Sequence, residues 1–187
     1  MTLMLSRKRA IVLGMASTLF LIACVLALPE IRLRFPLIQN QGESSEEQEV
    51  YRVTRVVDGD TVELGDGRKV RYIGINTPET VDPRRQVECF GKEASAFNAS
   101  LVEGKMVRLE RDVSGTDKYG RLLRFVYLED GTFVNEVLVR EGYAYASAYA
   151  PDLTRKFFFA EAEKDARKNQ RGLWSPDTCD GRKESVH

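Results

Sequence analysis

Residues 50–76 read VYRVTRVVDGDTVELGDGRKVRYIGIN, and the punctuation of this stretch decides the fold. Three short runs, 50–57, 60–65 and 68–75, are rich in Val, Ile, Tyr and Thr. Such side chains suit a pleated, half-buried surface. Asp58-Gly59 and Asp66-Gly67 separate the runs. Asp-Gly between apolar runs is a strong hairpin signal, because both residues tolerate the positive φ of a tight turn. In the third run Val70 and Tyr72 alternate with Arg71, so Arg71 is expected on the opposite face of that strand.

Downstream, Ala94, Phe97 and Leu101 recur at helical spacing and predict a helix over 91–103. Two further strands are expected at 105–112 and 122–129. A short helix over 134–141 would turn Val134, Val137 and Leu138 inward, with Gly142 as its stop. The longest helix is expected over 153–170, with Phe158, Ala162 and Ala166 on one face. Five strands interrupted by one helix and closed by two more predict an α+β domain. The expected architecture is a five-stranded OB-type β-barrel with three helices over residues 50–176, then a tail, 177–187.

The upstream part has a different character. Residues 10–28 contain no charge and no Pro. These 19 residues suffice, at about 1.5 Å per residue, for a hydrophobic helix across a bilayer core of roughly 30 Å. Arg7, Lys8 and Arg9 close the basic stretch 1–9 and should stay on the cytoplasmic side, leaving the rest of the chain extracytoplasmic. The segment is a transmembrane anchor, a cleaved signal or a lipoprotein signal around Cys24. If uncleaved, it ties the protein to a membrane; if cleaved, the product is secreted or periplasmic. Residues 29–49 are polar and acidic and read as a tether. Cys89 and Cys179 both fall in the exported part, where two thiols are a disulfide candidate; two free thiols are the alternative.

Composition narrows the chemistry. Of 187 residues, 28 are Lys or Arg and 28 Asp or Glu, which excludes a protein that coats nucleic acid by bulk charge. The basic residues are uneven: 105–124 holds Lys105, Arg108, Arg111, Lys118, Arg121 and Arg124 against three acids. The only His is His187, which argues against triads and imidazole-built zinc sites.

Three clusters remain. Asp58-Gly59-Asp60 puts two carboxylates at a turn, a setting for a hard cation. Arg71 through Glu79 carries a strand into Asn76-Thr77-Pro78-Glu79, where Pro78 holds Thr77 extended. Asp117-Lys118-Tyr119-Gly120-Arg121 aims an arginine fork from a turn. A cation site, a carboxylate base and two arginines are the parts needed to cleave a phosphodiester.

In order and spacing these clusters resemble those of the thermonuclease (staphylococcal nuclease-like) family. The resemblance extends over about 50–175, through Gly91-Lys92-Glu93-Ala94-Ser95, Val134-Asn135-Glu136 and Gly172-Leu173-Trp174-Ser175. It implies an OB-type barrel and a Ca²⁺-dependent endonuclease, with one ion, cutting DNA and RNA and preferring single strands. By position it implies Arg71, Glu79 and Arg121 as catalytic residues. It also implies Asp60, Asn76 and the Thr77 carbonyl as calcium ligands, and Lys118, Tyr119 and Tyr149 at the nucleotide. Asn76 replaces the Asp of the best-known member, so weaker calcium binding is expected. Ser147 replaces a pocket Tyr. A monomer is expected. The alternative is a catalytically silent OB-type module that binds nucleic acid or a partner at the cell surface.

Overall fold

The computed structural model describes residues 50–80 and 86–182. The expected cytoplasmic stretch, apolar segment and tether, 1–49, lie outside the described residues. Among those described, no helix is long and apolar enough to cross a membrane.

Five strands close into a barrel: β1 (Val50–Asp58), β2 (Thr61–Leu64), β3 (Lys69–Tyr72), β5 (Met106–Glu110) and β6 (Leu122–Leu128). Their order around the barrel is β1-β2-β3-β6-β5. Both Asp-Gly hairpins form, pairing Asp58 with Thr61 and Glu63 with Lys69. β6 runs parallel to β3, with Arg71 opposite Leu123. Closure comes from β1 against β5, with Tyr51 opposite Val107. Val53, Val62, Leu64, Val70, Val107 and Val126 point inward and are buried. Each contributes about 1.5–3 kcal/mol over an exposed position.

The third run does not continue as one strand. It breaks after Tyr72, and β4 (Ile75–Asn76) instead pairs with β7 (Tyr145–Ala146). Gly74 makes the break, with φ of +80°, and the Phe159 ring lies where a β-carbon would stand. The kink redirects Asn76 and Thr77 away from the barrel wall.

Three helices cover the barrel: α1 (Gly91–Val102), α2 (Val134–Arg140) and α3 (Lys156–Lys168). In α2 the buried residues are Val134, Asn135, Leu138 and Val139, whereas Val137 is only half-buried. Asn135 goes inward because both ends of its amide find partners there. Its Oδ1 accepts from Val126 N at 2.9 Å and its Nδ2 donates to Ile73 O at 3.0 Å. α3 starts later than expected because residues 152–154 are committed elsewhere. Asp152 accepts from the amides of Val113 and Ser114, and Thr154 bonds to Asp112. Its buried face is Phe159, Ala162 and Ala166, so Phe159 replaces Phe158 in the core. Phe159 packs between Phe125 and Phe133, and Phe158 remains 41% exposed.

After α3 the chain makes a 3₁₀ turn, Gly172–Trp174. Residues 177–182 fold back on it through Thr178 Oγ1 to Gly172 O at 2.6 Å and Gly181 N to Leu173 O at 2.8 Å. Cys89 and Cys179 form a disulfide, with Cα atoms 6.0 Å apart.

Candidate active site

The β1–β2 hairpin, the β3–β4 kink and the turn before β6 converge at one end of the barrel. Gly59 allows the approach: a β-carbon there would lie 2.6–2.8 Å from the Thr77 side chain. Across this contact Asp60, almost fully buried, accepts from Thr77 N at 2.8 Å. The same oxygen pairs with Arg71 Nη1 at 2.9 Å.

Arg71 is held from several sides. Nη1 donates to Tyr72 O (2.8 Å) and Ile75 O (3.2 Å), and Nη2 to Asn76 Oδ1 (2.9 Å). Asn76 in turn donates through Nδ2 to Thr77 O at 3.0 Å. Asp60, Arg71, Asn76 and Thr77 thus form a closed ring of polar contacts. It exists because the Gly74 kink returns the chain over its own strand. Such fixed donors need no reorganisation when charge develops near them.

Arg121 is set by Asp117. Nε and Nη2 both reach Asp117 Oδ2 at 2.7 Å, while the backbone amide of Arg121 donates to Oδ1 at 3.0 Å. Burial pushes the Asp117 carboxyl up, but the Arg121 side chain and the Arg121 and Tyr119 amides outweigh it and hold it below the usual range. Arg121 Nη1 lies 3.5 Å from Thr61 Oγ1, so the fork points across the β1–β2 turn. Glu79 follows Pro78; its Oε1 accepts from Thr80 N at 3.0 Å.

These groups line a cavity of about 250 Å³. Its walls are Arg71, Asn76, Thr77, Arg121 and the carboxylates of Asp58, Asp60, Glu79 and Glu88. Seven residues singled out in the sequence therefore share it: Asp58, Asp60, Arg71, Asn76, Thr77, Glu79 and Arg121. Lys118, Tyr119 and Tyr149 do not line it. Tyr119 and Tyr149 are 71% and 73% exposed. Tyr119 stands at the rim, its ring 5.6 Å from the Arg121 guanidinium and 5.0 Å from Lys118 Nζ. Glu88 is the wall residue that sequence reading missed. Its only local signal was a carboxylate beside Cys89.

Four carboxylates against two guanidiniums leave the cavity short of positive charge. Asp58 registers this: its carboxyl is pushed up chiefly by burial and further by Asp60 and Glu79, against the opposing hydrogen bond from Thr80. Among the described residues no group of three or more His, Cys, Asp and Glu forms a metal-holding cluster. The oxygens beside the kink are of mixed kind: the Asp60 carboxylate, the Asn76 amide and the Thr77 carbonyl. Thr77 Oγ1 is also buried, with no hydrogen-bond partner among the described residues. An all-oxygen set with excess negative charge fits a hard cation.

A stability prediction follows from Asp58. A carboxyl raised by the fold favours its protonated form, so the native state is relatively most stable below the unfolded pKa. Part of that stability is lost as pH rises through the folded value. Asp58→Asn keeps an acceptor for Thr80 Oγ1 and Gly59 N, both at 2.7 Å, and removes the charge. In chelator the variant should melt a few degrees (roughly 2–4 °C) above the parent at pH 7. The difference should vanish near pH 3. An equal gain at both pH values would show that charge is not the cause.

Comparison with known proteins identifies the family. Residues 69–176 match the family described as Staphylococcal nuclease homologue. The chain is 39% identical over 158 residues to a thermonuclease of Staphylococcus intermedius, covering 80% of this chain and 94% of that protein. It is 39% identical over 140 residues to a thermonuclease of Staphylococcus hyicus, covering 73% and 82%. It is 38% identical over 139 residues to an endonuclease of Bacillus subtilis (strain 168), covering 71% and 65%. With the match extending from β3 past the 3₁₀ turn, the chain belongs to the staphylococcal nuclease homologue family.

Proposed function

We propose that the protein is an exported, calcium-dependent endonuclease that hydrolyses phosphodiester bonds of DNA and RNA. Nuclease activity rests on the family. The observation that carries the finer reading is the single cavity shared by Glu79, Arg71, Arg121 and an oxygen set short of positive charge.

Glu79 acts as general base and takes a proton from the attacking water. Arg71 and Arg121 bind the phosphate oxygens and stabilise the charge that builds on them in the transition state. Asp60, Asn76 and the Thr77 carbonyl would hold one Ca²⁺, and Asp58, in the same cavity wall, would assist. Bound there, the ion supplies positive charge to the phosphate. Tyr119, with Lys118 beside it, offers a face for a base at the rim, and exposed Tyr149 offers another. Single strands are favoured because their bases are free to stack on such faces. The basic flank, the apolar segment 10–28 and the Cys89–Cys179 bridge support export, whether the segment stays as an anchor or is removed. The protein acts as a monomer.

The test is incubation of the purified protein with single-stranded DNA in calcium or in chelator. Calcium-dependent cleavage supports the reading, and equal rates in both would overturn the metal requirement. Asn76→Asp sharpens it. The substitution adds a charged oxygen but loses the Nδ2 bond to Thr77 O and sets carboxylate against carbonyl. Calcium should bind on the order of tenfold tighter, and the chelated variant should be less stable than the parent. An unchanged calcium midpoint in titration calorimetry would remove Asn76 from the ligand set.

A further inference from the structure

The Cys89–Cys179 disulfide and the buried Glu88 carboxylate lie next to each other in sequence, and the catalytic roles above use neither. Both bear on Glu79. Glu88 N donates to Glu79 O at 2.9 Å, and Glu88 Oε2 accepts from Glu79 N at 3.1 Å. The backbone of the proposed base is therefore gripped on its N–H by a side chain and on its carbonyl by the main chain. Glu88 is 7% exposed, so its carboxylate is not spread into solvent.

What keeps Glu88 in place is the corner that follows it. Phe90 sits in the left-handed region, φ 67°, which costs energy for a non-glycine residue and persists only when its surroundings impose it. Gly91, the first residue of α1, donates its N–H to Glu88 O at 3.0 Å. A β-carbon on Gly91 would lie 2.6 Å from Thr80 Cγ2 and 3.0 Å from Glu79 O. The corner 88–91 is thus packed directly on the Glu79 segment. Its outer side is bolted by Cys89 to Cys179.

That anchor point is itself rigid. Cys179 is 4% exposed and packs with Tyr145, Ala166, Leu173 and Trp174. The tail around it is tied to the 3₁₀ turn by Asp180 N to Ser175 O at 3.0 Å, besides the Thr178 and Gly181 bonds. The bridge spans 90 residues of sequence and connects this block to a point one residue from Glu88.

We propose that the Cys89–Cys179 bridge positions the general base: it fixes Glu88, and Glu88 fixes Glu79 by accepting its backbone N–H. Glu88 is a positioning residue that acts through Glu79. The bridge holds catalytic geometry as well as the C-terminal tail. This inference rests on the role of Glu79 proposed above.

The test uses the full chain in its oxidised form, with calcium and a single-stranded oligonucleotide. Circular dichroism first establishes a temperature at which each variant is folded. Cys89→Ala/Cys179→Ala should lose about tenfold to a hundredfold in kcat with KM within about twofold, as expected for a displaced catalytic group. Glu88→Ala in the bridged chain should lose a similar factor. Glu88→Gln, whose amide oxygen still accepts the Glu79 N–H, should recover most of it. Combining Glu88→Ala with the cysteine substitutions should add little, because both act along one path.

Three results would overturn the proposal: a folded, bridge-free variant with unchanged kcat; a Glu88→Gln loss as large as that of Glu88→Ala; or full additivity. If the bridge-free variant does not fold, the Glu88→Ala and Glu88→Gln pair decides alone. An inactive parent chain would instead overturn the nuclease reading, and this inference with it. An active parent with unaffected variants overturns only the positioning role.

Discussion

Glu79→Gln is expected to reduce kcat on DNA by about a thousandfold, within the 10²–10⁴ range that a positioned general base contributes. The substitution is nearly isosteric. A Gln Oε1 still accepts from Thr80 N, and the backbone of residue 79 keeps both its bonds to Glu88. The cavity therefore retains its shape and loses only a proton acceptor and one negative charge. KM should change little, because Arg71 and Arg121 are untouched. Calcium affinity should fall only modestly, since Asp60, Asn76 and the Thr77 carbonyl remain. The measurement is single-turnover cleavage at saturating calcium, with titration calorimetry as the control for the ion. A loss below tenfold would move the proton-accepting role to one of the other wall carboxylates, Asp58 or Glu88.

Much of this site was legible before any coordinates, and the reasons are local. Asp58-Gly59 and Asp66-Gly67 specify their hairpins within four residues, so β1, β2 and β3 and the outward direction of Arg71 followed from alternation alone. The parts that were not legible depend on distant partners. Gly74 is one residue in an apparently continuous strand, and its break is required by the ring of Phe159, which lies on α3. The run Phe157-Phe158-Phe159 offers three registers of similar hydrophobicity. Only the pocket formed by Phe125, Phe133 and the Gly74 kink selects Phe159. Asn135 looks like a surface residue of a short helix until its two partners in the core, Val126 N and Ile73 O, are seen. Glu88 is the functional counterpart. Its meaning lies wholly in the return of the chain to Glu79, which no spacing rule encodes. Lys118, Tyr119 and Tyr149 entered through the resemblance alone; the chain places Tyr119 at the cavity rim and leaves both tyrosines exposed.

Arg71→Ala should be costly in two separate ways, and calcium should distinguish them. In catalysis it removes a guanidinium from the cavity wall, and a loss of about a hundredfold or more in kcat is expected for one such group. In folding it strips the ion partner from Asp60, whose side chain is only 5% exposed. Removing one partner of a buried ion pair typically costs about 3–5 kcal/mol. It also leaves Tyr72 O, Ile75 O and Asn76 Oδ1 without their Arg71 donor. For a chain of this size that corresponds to a fall of roughly 10 °C in Tm. Because the stability loss comes largely from an uncompensated Asp60 charge, a cation on Asp60 should restore part of it. The Tm deficit should be larger in chelator than in calcium, while the kcat deficit persists at saturating calcium. Arg71→Lys separates the effects further. An ammonium can pair with Asp60, but it cannot also present the planar fork that spans Tyr72 O, Ile75 O and Asn76 Oδ1. Lysine should therefore recover more of the stability than of the rate. If both substitutions lowered Tm equally, with and without calcium, the Asp60 pair would not be the source of the stability. The coupling of one arginine to both fold and reaction would then have to be abandoned.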